Sequence, residues 1–188
     1  FVNIDELQAV ASKRISKCLK TEAAVITASA AGGLTESVAS MMTGNSLEKV
    51  YQLPNTKKMK DRVLIQKGHL TNYGAEVSQG ILLSGAKILS CGLKNNCTNK
   101  IFEDTLLKNK NIISCAMYVV SHHCSHYKAI KILDFIKICQ KHKIPTIIDA
   151  ASEEYMEDFF KIGADIGIFS AHKFMGSLTA GILAGKKK

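Results

Sequence analysis

The sequence lacks the features that mark several common classes of protein. It has no Trp and only two Pro in 188 residues, and it contains no repeat, collagen-like segment or low-complexity segment. Its longest apolar runs, Ala23 to Ala31 and Ile112 to Val120, are too short to span a membrane. It begins without the basic and then apolar pattern of a secretory signal. We therefore expect a cytoplasmic protein that does not bind a membrane.

The cysteine and histidine residues give weak signals. Six Cys are present, without the paired spacing of a disulfide framework, and several lie in apolar runs where a free thiol behaves as a small hydrophobe. This usage is typical of a reducing compartment. Three histidines crowd around Cys124, at His122, His123 and His126. Because no second ligand pair of defined spacing accompanies them, we predict no metal site.

The charge is strongly positive, with 25 Lys and Arg against 16 Asp and Glu and a formal net charge of +9. Such an excess attracts nucleic acids or phosphorylated molecules. However, the lysines are scattered, and no aromatic residues lie between them to stack on bases. This pattern does not favour nucleic acid as a partner.

Short apolar segments alternate with amphipathic ones along the whole chain. Helical spacing of apolar residues predicts the following helices: Ile4 to Leu19, one ending near Met42, Tyr73 to Ser84, Ile101 to Lys108, one ending at His142, and Glu153 to Ile162. Apolar runs predict the strands between them: Ala23 to Ala28, Val63 to Gln66, Lys87 to Cys91, Ile112 to Val120, Thr146 to Asp149, Asp165 to Phe169, and Gly181 to Ala184. Strands that are apolar throughout and separated by helices predict an α/β three-layer sandwich with a mostly parallel sheet.

Ligands of such sheets bind beyond the carboxyl ends of the strands, so residues that follow strands are the informative ones. Ser29, Ala30 and Ala31 lie in a small-residue turn between a strand and a helix. Their backbone amides suit an anion at the helix N-terminus, although the same sequence suits a plain tight turn. His69 follows the next strand, where a histidine is often structural.

Two charged residues follow later strands. Asp149 ends the strand that begins at Thr146, and a carboxylate there either caps the following helix or pairs with a cation. Lys173 comes shortly after Ser170 at the end of another strand. Most lysines in such loops are merely solvated, but a lysine beside a cofactor forms an imine with an aldehyde. An acid, a lysine and a phosphate turn together are what pyridoxal 5′-phosphate (PLP) needs.

Several segments resemble one family of PLP enzymes. The segments 22–33, 148–154 and 163–173 are similar to the selenocysteine synthase-like group of fold-type I PLP enzymes, whose large domain has the transferase-like three-layer fold. Segments 66–75 and 119–124 resemble, more narrowly, the D-glucosaminate-6-phosphate ammonia-lyase branch. The similarity extends over nearly the whole chain.

The resemblance implies a role for each candidate residue. Lys173 would hold PLP as a Schiff base and move the Cα proton, and Asp149 would pair with the pyridine nitrogen. His69 would stack on the cofactor ring. The cofactor phosphate would bind the Ser29, Ala30 and Ala31 amides and the Ser170 hydroxyl. His122 and His123 would lie near the phenolic oxygen of the cofactor or near the substrate, and His123 is counted among the cofactor-binding residues.

The activity implied by the resemblance is α,β-elimination with deamination of an amino acid-like substrate, such as a phosphorylated 2-amino sugar acid. Two alternatives stay open: selenium transfer onto seryl-tRNA, and a non-catalytic remnant or PLP-binding fragment. Enzymes of this group are longer, so we expect residues 1–188 to be a PLP-binding large domain without the N-terminal arm and the C-terminal small domain. The group also implies a homo-oligomer, a dimer or larger.

Overall fold

A computed structural model describes residues 2–187 and has a seven-stranded sheet at its centre. The strands of this sheet are β1 (Ala23–Thr27), β2 (Arg62–Gln66), β3 (Lys87–Cys91), β5 (Ile113–Val119), β7 (Thr146–Asp149), β8 (Ile166–Ser170) and β9 (Gly181–Gly185). Their spatial order is β1-β9-β8-β7-β5-β2-β3. β9 pairs antiparallel with both of its neighbours, and the other pairs are parallel. Two short strands, β4 (Asn96–Cys97) and β6 (Lys128–Ala129), form a separate parallel pair.

Helices cover both faces of the sheet. They are α1 (Ile4–Leu19), α2 (Ala30–Thr43), α3 (Leu47–Gln52), α4 (Val77–Leu83), α5 (Asn99–Asn109), α6 (Ile132–Lys141), α7 (Met156–Lys161) and α8 (Ala171–Phe174). One buried cluster packs α1, α5, α6 and α7 on one face, with Phe102 and Phe135 fully buried in it. The other cluster packs α2 and α4, through Val38 and Ile81, on the opposite face. The predicted α/β three-layer sandwich with a mostly parallel sheet is confirmed.

The central strands are buried because their sequences are apolar at consecutive positions. In β2, the side chains of Val63, Leu64 and Ile65 are all fully buried, although successive residues point to opposite faces. An alternating pattern would leave one face in water, whereas this one requires helices on both. None of the described helices is long and apolar enough to cross a membrane.

Two helices begin later than predicted. The helix predicted from Glu153 is α7, which begins at Met156. The sequence also predicts a helix from Tyr73, but α4 begins at Val77. Gly74 has a φ of +96°, and its N–H donates to the Asn72 side chain at 2.8 Å. This turn stops the helix from extending towards Tyr73. The residues before α4 are therefore a loop, and that loop reaches the carboxyl edge of the sheet.

Candidate active site

A cavity of about 370 Å³ lies at the carboxyl edge of the sheet. Its walls come from the first turn of α2, the ends of β7 and β8, and the loop and first turn of α4. Six of the predicted site residues line it: Ser29, Ala30, Ala31, Asp149, Ser170 and Lys173. The structure thus gathers residues from three distant parts of the chain, because the strands they follow end at the same edge.

The first turn of α2 presents unpaired backbone amides. The Ser29 hydroxyl caps the helix by accepting from the Gly32 N–H at 3.0 Å, and the first backbone bond of the helix runs from the Gly33 N–H to the Ser29 carbonyl. The N–H groups of Ala30 and Ala31 precede that bond and therefore have no acceptor within the helix. Such a turn suits an anion.

The close approach of β9 holds this turn in place. A Cβ on Gly181 would lie 2.5 Å from the carbonyl carbon and oxygen of Ser29 and from the Thr27 hydroxyl. The Thr27 hydroxyl itself donates to the Ser29 carbonyl at 2.8 Å. A side chain at position 181 would push the turn away from the sheet.

Asp149 is mostly buried at the end of β7. Its Oδ1 accepts from the Ala151 N–H at 3.2 Å. Burial raises the pKa of the Asp149 carboxyl, while the Ala151 N–H and the positive charge of Lys173 act to lower it. The loss of hydration thus outweighs the stabilising contacts. A buried carboxylate of this kind gains a great deal from a cationic partner placed in the cavity.

Lys173 lies on the short helix α8, directly after β8. Its side chain is exposed to the cavity, and Nζ donates to the Ser152 hydroxyl at 3.2 Å. Ser170 is buried, and its hydroxyl lies 3.0 Å from Nδ1 of His172, which also lines the cavity. An amine and a carboxylate that influence each other in one cavity can bind and activate a carbonyl compound.

His69 is not among the residues that line the cavity. It is buried, with 1% of its surface exposed. Its Nδ1 accepts from the Val119 N–H at 3.0 Å, and its Nε2 lies 3.1 Å from the Gln66 side-chain amide. Burial, with a smaller effect of His126, lowers the pKa of His69 to about 4, so the ring is neutral. Stacking of His69 on a cofactor stays a prediction, and it requires the ring to be uncovered.

His122 and His123 lie on a 3₁₀ turn after β5, outside the cavity lining. Both are exposed, and their ring centroids are 3.8 Å apart. The His123 ring lies 6.1 Å from the ring of Tyr73, and Tyr73 does line the cavity. The Tyr73 hydroxyl lies 3.6 Å from the Cys124 sulfur. Neither histidine lines the cavity, and their predicted role stays a prediction.

Twelve further residues line the cavity, and five of them have polar side chains that were not selected from the sequence: Thr35, Tyr73, Glu76, Gln79 and His172. Thr35 and Gln79 lie on helices, and nothing in their spacing distinguishes them from solvated positions. Tyr73 and His172 lie in segments that carry the family resemblance. Their aromatic rings follow strands and could therefore have been predicted to line the site. Glu76 faces the cavity only because α4 begins after it.

Known proteins similar to this chain are enzymes with three different named activities. D-glucosaminate-6-phosphate ammonia lyase of Salmonella typhimurium is 32% identical over 187 residues, which are 100% of this chain and 50% of that protein. A 5′-C-glycyluridine monooxygenase-decarboxylase of a Streptomyces species is 27% identical over 98% of the chain and 46% of its own length. An L-seryl-tRNA(Sec) selenium transferase of Caldanaerobacter subterraneus is 25% identical over 80% of the chain and 36% of its own length. The chain thus spans half or less of the length of these curated relatives.

Solved structures agree with the sequence relatives. A structure of D-glucosaminate-6-phosphate ammonia-lyase superposes with a TM-score of 0.93 at 32% identity, covering 100% of this chain and 50% of that one. A structure of SPT with PLP has a TM-score of 0.63 at 12% identity, covering 95% of this chain and 42% of that one, which shows the shared fold alone. No family model matches the chain.

The likeness in sequence and in structure extends over the full chain and includes the segments that end in Asp149 and Lys173. The resemblance inferred from the sequence is confirmed: the chain is similar over its full length to D-glucosaminate-6-phosphate ammonia lyase, and more distantly to L-seryl-tRNA(Sec) selenium transferases.

Proposed function

We propose that this chain is the PLP-binding part of an enzyme that eliminates a β-substituent and ammonia from an amino acid-like substrate. The observation that carries the proposal is the cavity in which Lys173, Asp149 and the free amides of α2 meet. The proposed substrate class is a phosphorylated 2-amino sugar acid, because the relative with 32% identity is named for such a compound.

The donor set of the cavity fits PLP. The unpaired Ala30 and Ala31 amides, with the Ser170 hydroxyl, provide contacts for a phosphate. Asp149, whose pKa is raised by burial, offers a carboxyl group whose ionised form a protonated pyridine nitrogen would stabilise. Lys173 supplies the amine for the aldehyde. Bound PLP supplies a π-system that takes up the electrons released at the substrate Cα.

In this proposal, the chain's own residues bind, orient and move protons. Asp149 keeps a proton on the ring nitrogen by remaining ionised beside it. The Lys173 amine would serve as the base that accepts the substrate Cα proton. Tyr73 and Glu76 also line the cavity, and the remainder of the substrate would lie beside them. Burial raises the pKa of the Tyr73 hydroxyl, so this hydroxyl keeps its proton at neutral pH.

The two other activities are less well supported. The selenium transferase relatives are more distant, at 25% identity over 80% of the chain against 32% over 100% for the ammonia lyase. A non-catalytic remnant needs none of the cavity's chemistry, yet the lysine, the acid and the anion turn are all present in one place.

We also propose that the protein works as a homo-oligomer. Leu82 and Leu83 are 54% and 67% exposed, and Leu83 lines the cavity. Large exposed apolar side chains beside a candidate active site support burial against a second copy of the chain.

The activity is tested by incubating the PLP-loaded chain with phosphorylated and unphosphorylated 2-amino sugar acids and, separately, with seryl-tRNA and a selenium donor. We expect ammonia and a 2-keto acid from the phosphorylated sugar acid, and neither product with Lys173→Ala. Selenium transfer without ammonia release would overturn the proposed reaction. A chain that binds PLP and releases no product from any substrate would support the remnant.

A further inference from the structure

The turn that follows β7 contacts both charged residues of the cavity. It runs from Asp149 to Ser152. The Ala151 N–H of this turn donates to the Asp149 carboxylate at 3.2 Å, and the Ser152 hydroxyl accepts from Lys173 Nζ at 3.2 Å. Four consecutive residues therefore fix the position of the carboxylate and of the amine relative to each other. Ser152 itself does not line the cavity, so it acts on the site only through Lys173.

We propose that Ser152 is a positioning residue that holds the free amine of Lys173 beside the cofactor aldehyde. The inference rests on the proposed function, because it assigns Ser152 a role in PLP attachment. Without a partner, a lysine on the exposed face of a four-residue helix samples many side-chain rotamers, and each must be given up before it can react. The hydrogen bond to Ser152 selects one of them.

A hydroxyl suits this position because its oxygen accepts a hydrogen bond and carries no charge. It accepts an N–H from both the ammonium and the neutral form of Lys173, so it holds the nitrogen in both states and leaves the lone pair of the neutral amine free to react. Attachment needs the neutral form. Its lone pair attacks the aldehyde carbon, a C=N bond forms, and the aldehyde oxygen leaves as water with the two protons of the amine. A carboxylate in the same place would favour the ammonium form and oppose this step.

Other ionisable groups also face the amine. Asp149, His172, Tyr73 and Glu76 line the same cavity as Lys173. Among these groups, Asp149 is the one whose pKa the positive charge of Lys173 acts to lower. All four groups stay in place when Ser152 is changed. A change in the pH dependence of attachment in a Ser152 variant therefore reports the contact between the hydroxyl and the amine.

The experiment titrates the purified chain with PLP and follows the visible absorbance of the imine across a range of pH. The variants are Ser152→Ala, Ser152→Thr and Ser152→Asp. Ser177→Ala is the matched control, because Ser177 is an exposed serine whose hydroxyl bonds only the neighbouring Leu178 carbonyl at 2.7 Å. Circular dichroism confirms that each variant is folded. None of these measurements depends on turnover.

We expect Ser152→Ala to raise the PLP concentration at half-saturation by about two- to tenfold, the range for the loss of one hydrogen bond. We expect Ser152→Thr to restore it. Ser152→Asp should move the pH midpoint of the absorbance upward, and Ser177→Ala should change nothing. If Ser152→Ala matches the wild type in both half-saturation and pH midpoint, the inference is wrong while the proposed function stands. If the wild type itself forms no imine at Lys173, the proposed function fails and the role of Ser152 fails with it.

Discussion

Replacing Asp149 by Asn should change PLP affinity and the stability of the cofactor-free chain in opposite directions. The substitution keeps the size of the side chain and an oxygen that accepts from the Ala151 N–H, but it removes the charge. A hydrogen bond to a charged group contributes about 1.5–3 kcal/mol. We therefore expect PLP affinity to fall by about 10- to 150-fold, at about 1.4 kcal/mol for each factor of ten.

Without the cofactor, the negative charge of the Asp149 carboxylate destabilises the folded chain. Burial raises the pKa of Asp149 above its usual 3.8, so the folded chain holds this proton more tightly than the unfolded chain does. As the pH rises from about 4 through the raised pKa, the folded state binds more protons than the unfolded state, and the free energy of unfolding decreases. The Asp149→Asn variant has no proton to lose, so this contribution to the decrease should disappear.

The assay pairs PLP titration with thermal unfolding of the cofactor-free chain at several pH values. Asp104→Asn is the control, because Asp104 is exposed on α5 and does not line the cavity. At neutral pH, Asp149→Asn should leave the cofactor-free chain as stable as the wild type or more so, while Asp104→Asn changes neither property. Unchanged PLP affinity, or a marked loss of stability at neutral pH, would show that the charge of Asp149 does not act in this way.

Two further predictions concern residues that support the cavity. Gly181→Ala should weaken PLP binding, because its Cβ would meet the Ser29 carbonyl. It should also lower the free energy of unfolding by about 1–3 kcal/mol, the typical cost of forcing extra atoms into a packed site. Denaturant unfolding measures this change, and an unchanged unfolding midpoint would contradict the prediction. Burial lowers the pKa of His69 to about 4 in the folded chain. Between a pH of about 6.5 and about 4, the folded state therefore binds fewer protons than the unfolded state. The free energy of unfolding should fall as the pH falls through that range. His69→Gln should flatten this pH dependence. If the variant loses stability as steeply as the wild type at acidic pH, other groups cause the loss.

The fold and most of the cavity follow from local sequence patterns. Consecutive apolar residues such as those from Val63 to Ile65 require cover on both faces of a sheet, which predicts the three layers. The same pattern places Asp149 and Lys173 at one edge, because both follow parallel strands. This topology is enough to bring the charge of Lys173 close enough to affect the pKa of Asp149.

The remaining features depend on contacts between distant segments. No local pattern shows that the Val119 N–H donates to His69, and this bond is what buries a residue predicted to stack on the cofactor. Ser152 likewise gains its contact only when α8 brings Lys173 back over the turn after β7. Packing across the sheet decides such positions, and periodicity within one segment does not report it.

Attachment of PLP to Lys173 is central to everything proposed for this chain. The most direct test is to incubate the chain with PLP, reduce it with borohydride, digest it and locate the modified lysine by mass spectrometry. We expect a pyridoxyl phosphate adduct on Lys173, and no adduct at that site in Lys173→Ala. An unmodified Lys173, or an adduct spread evenly over the exposed lysines, would contradict the assignment.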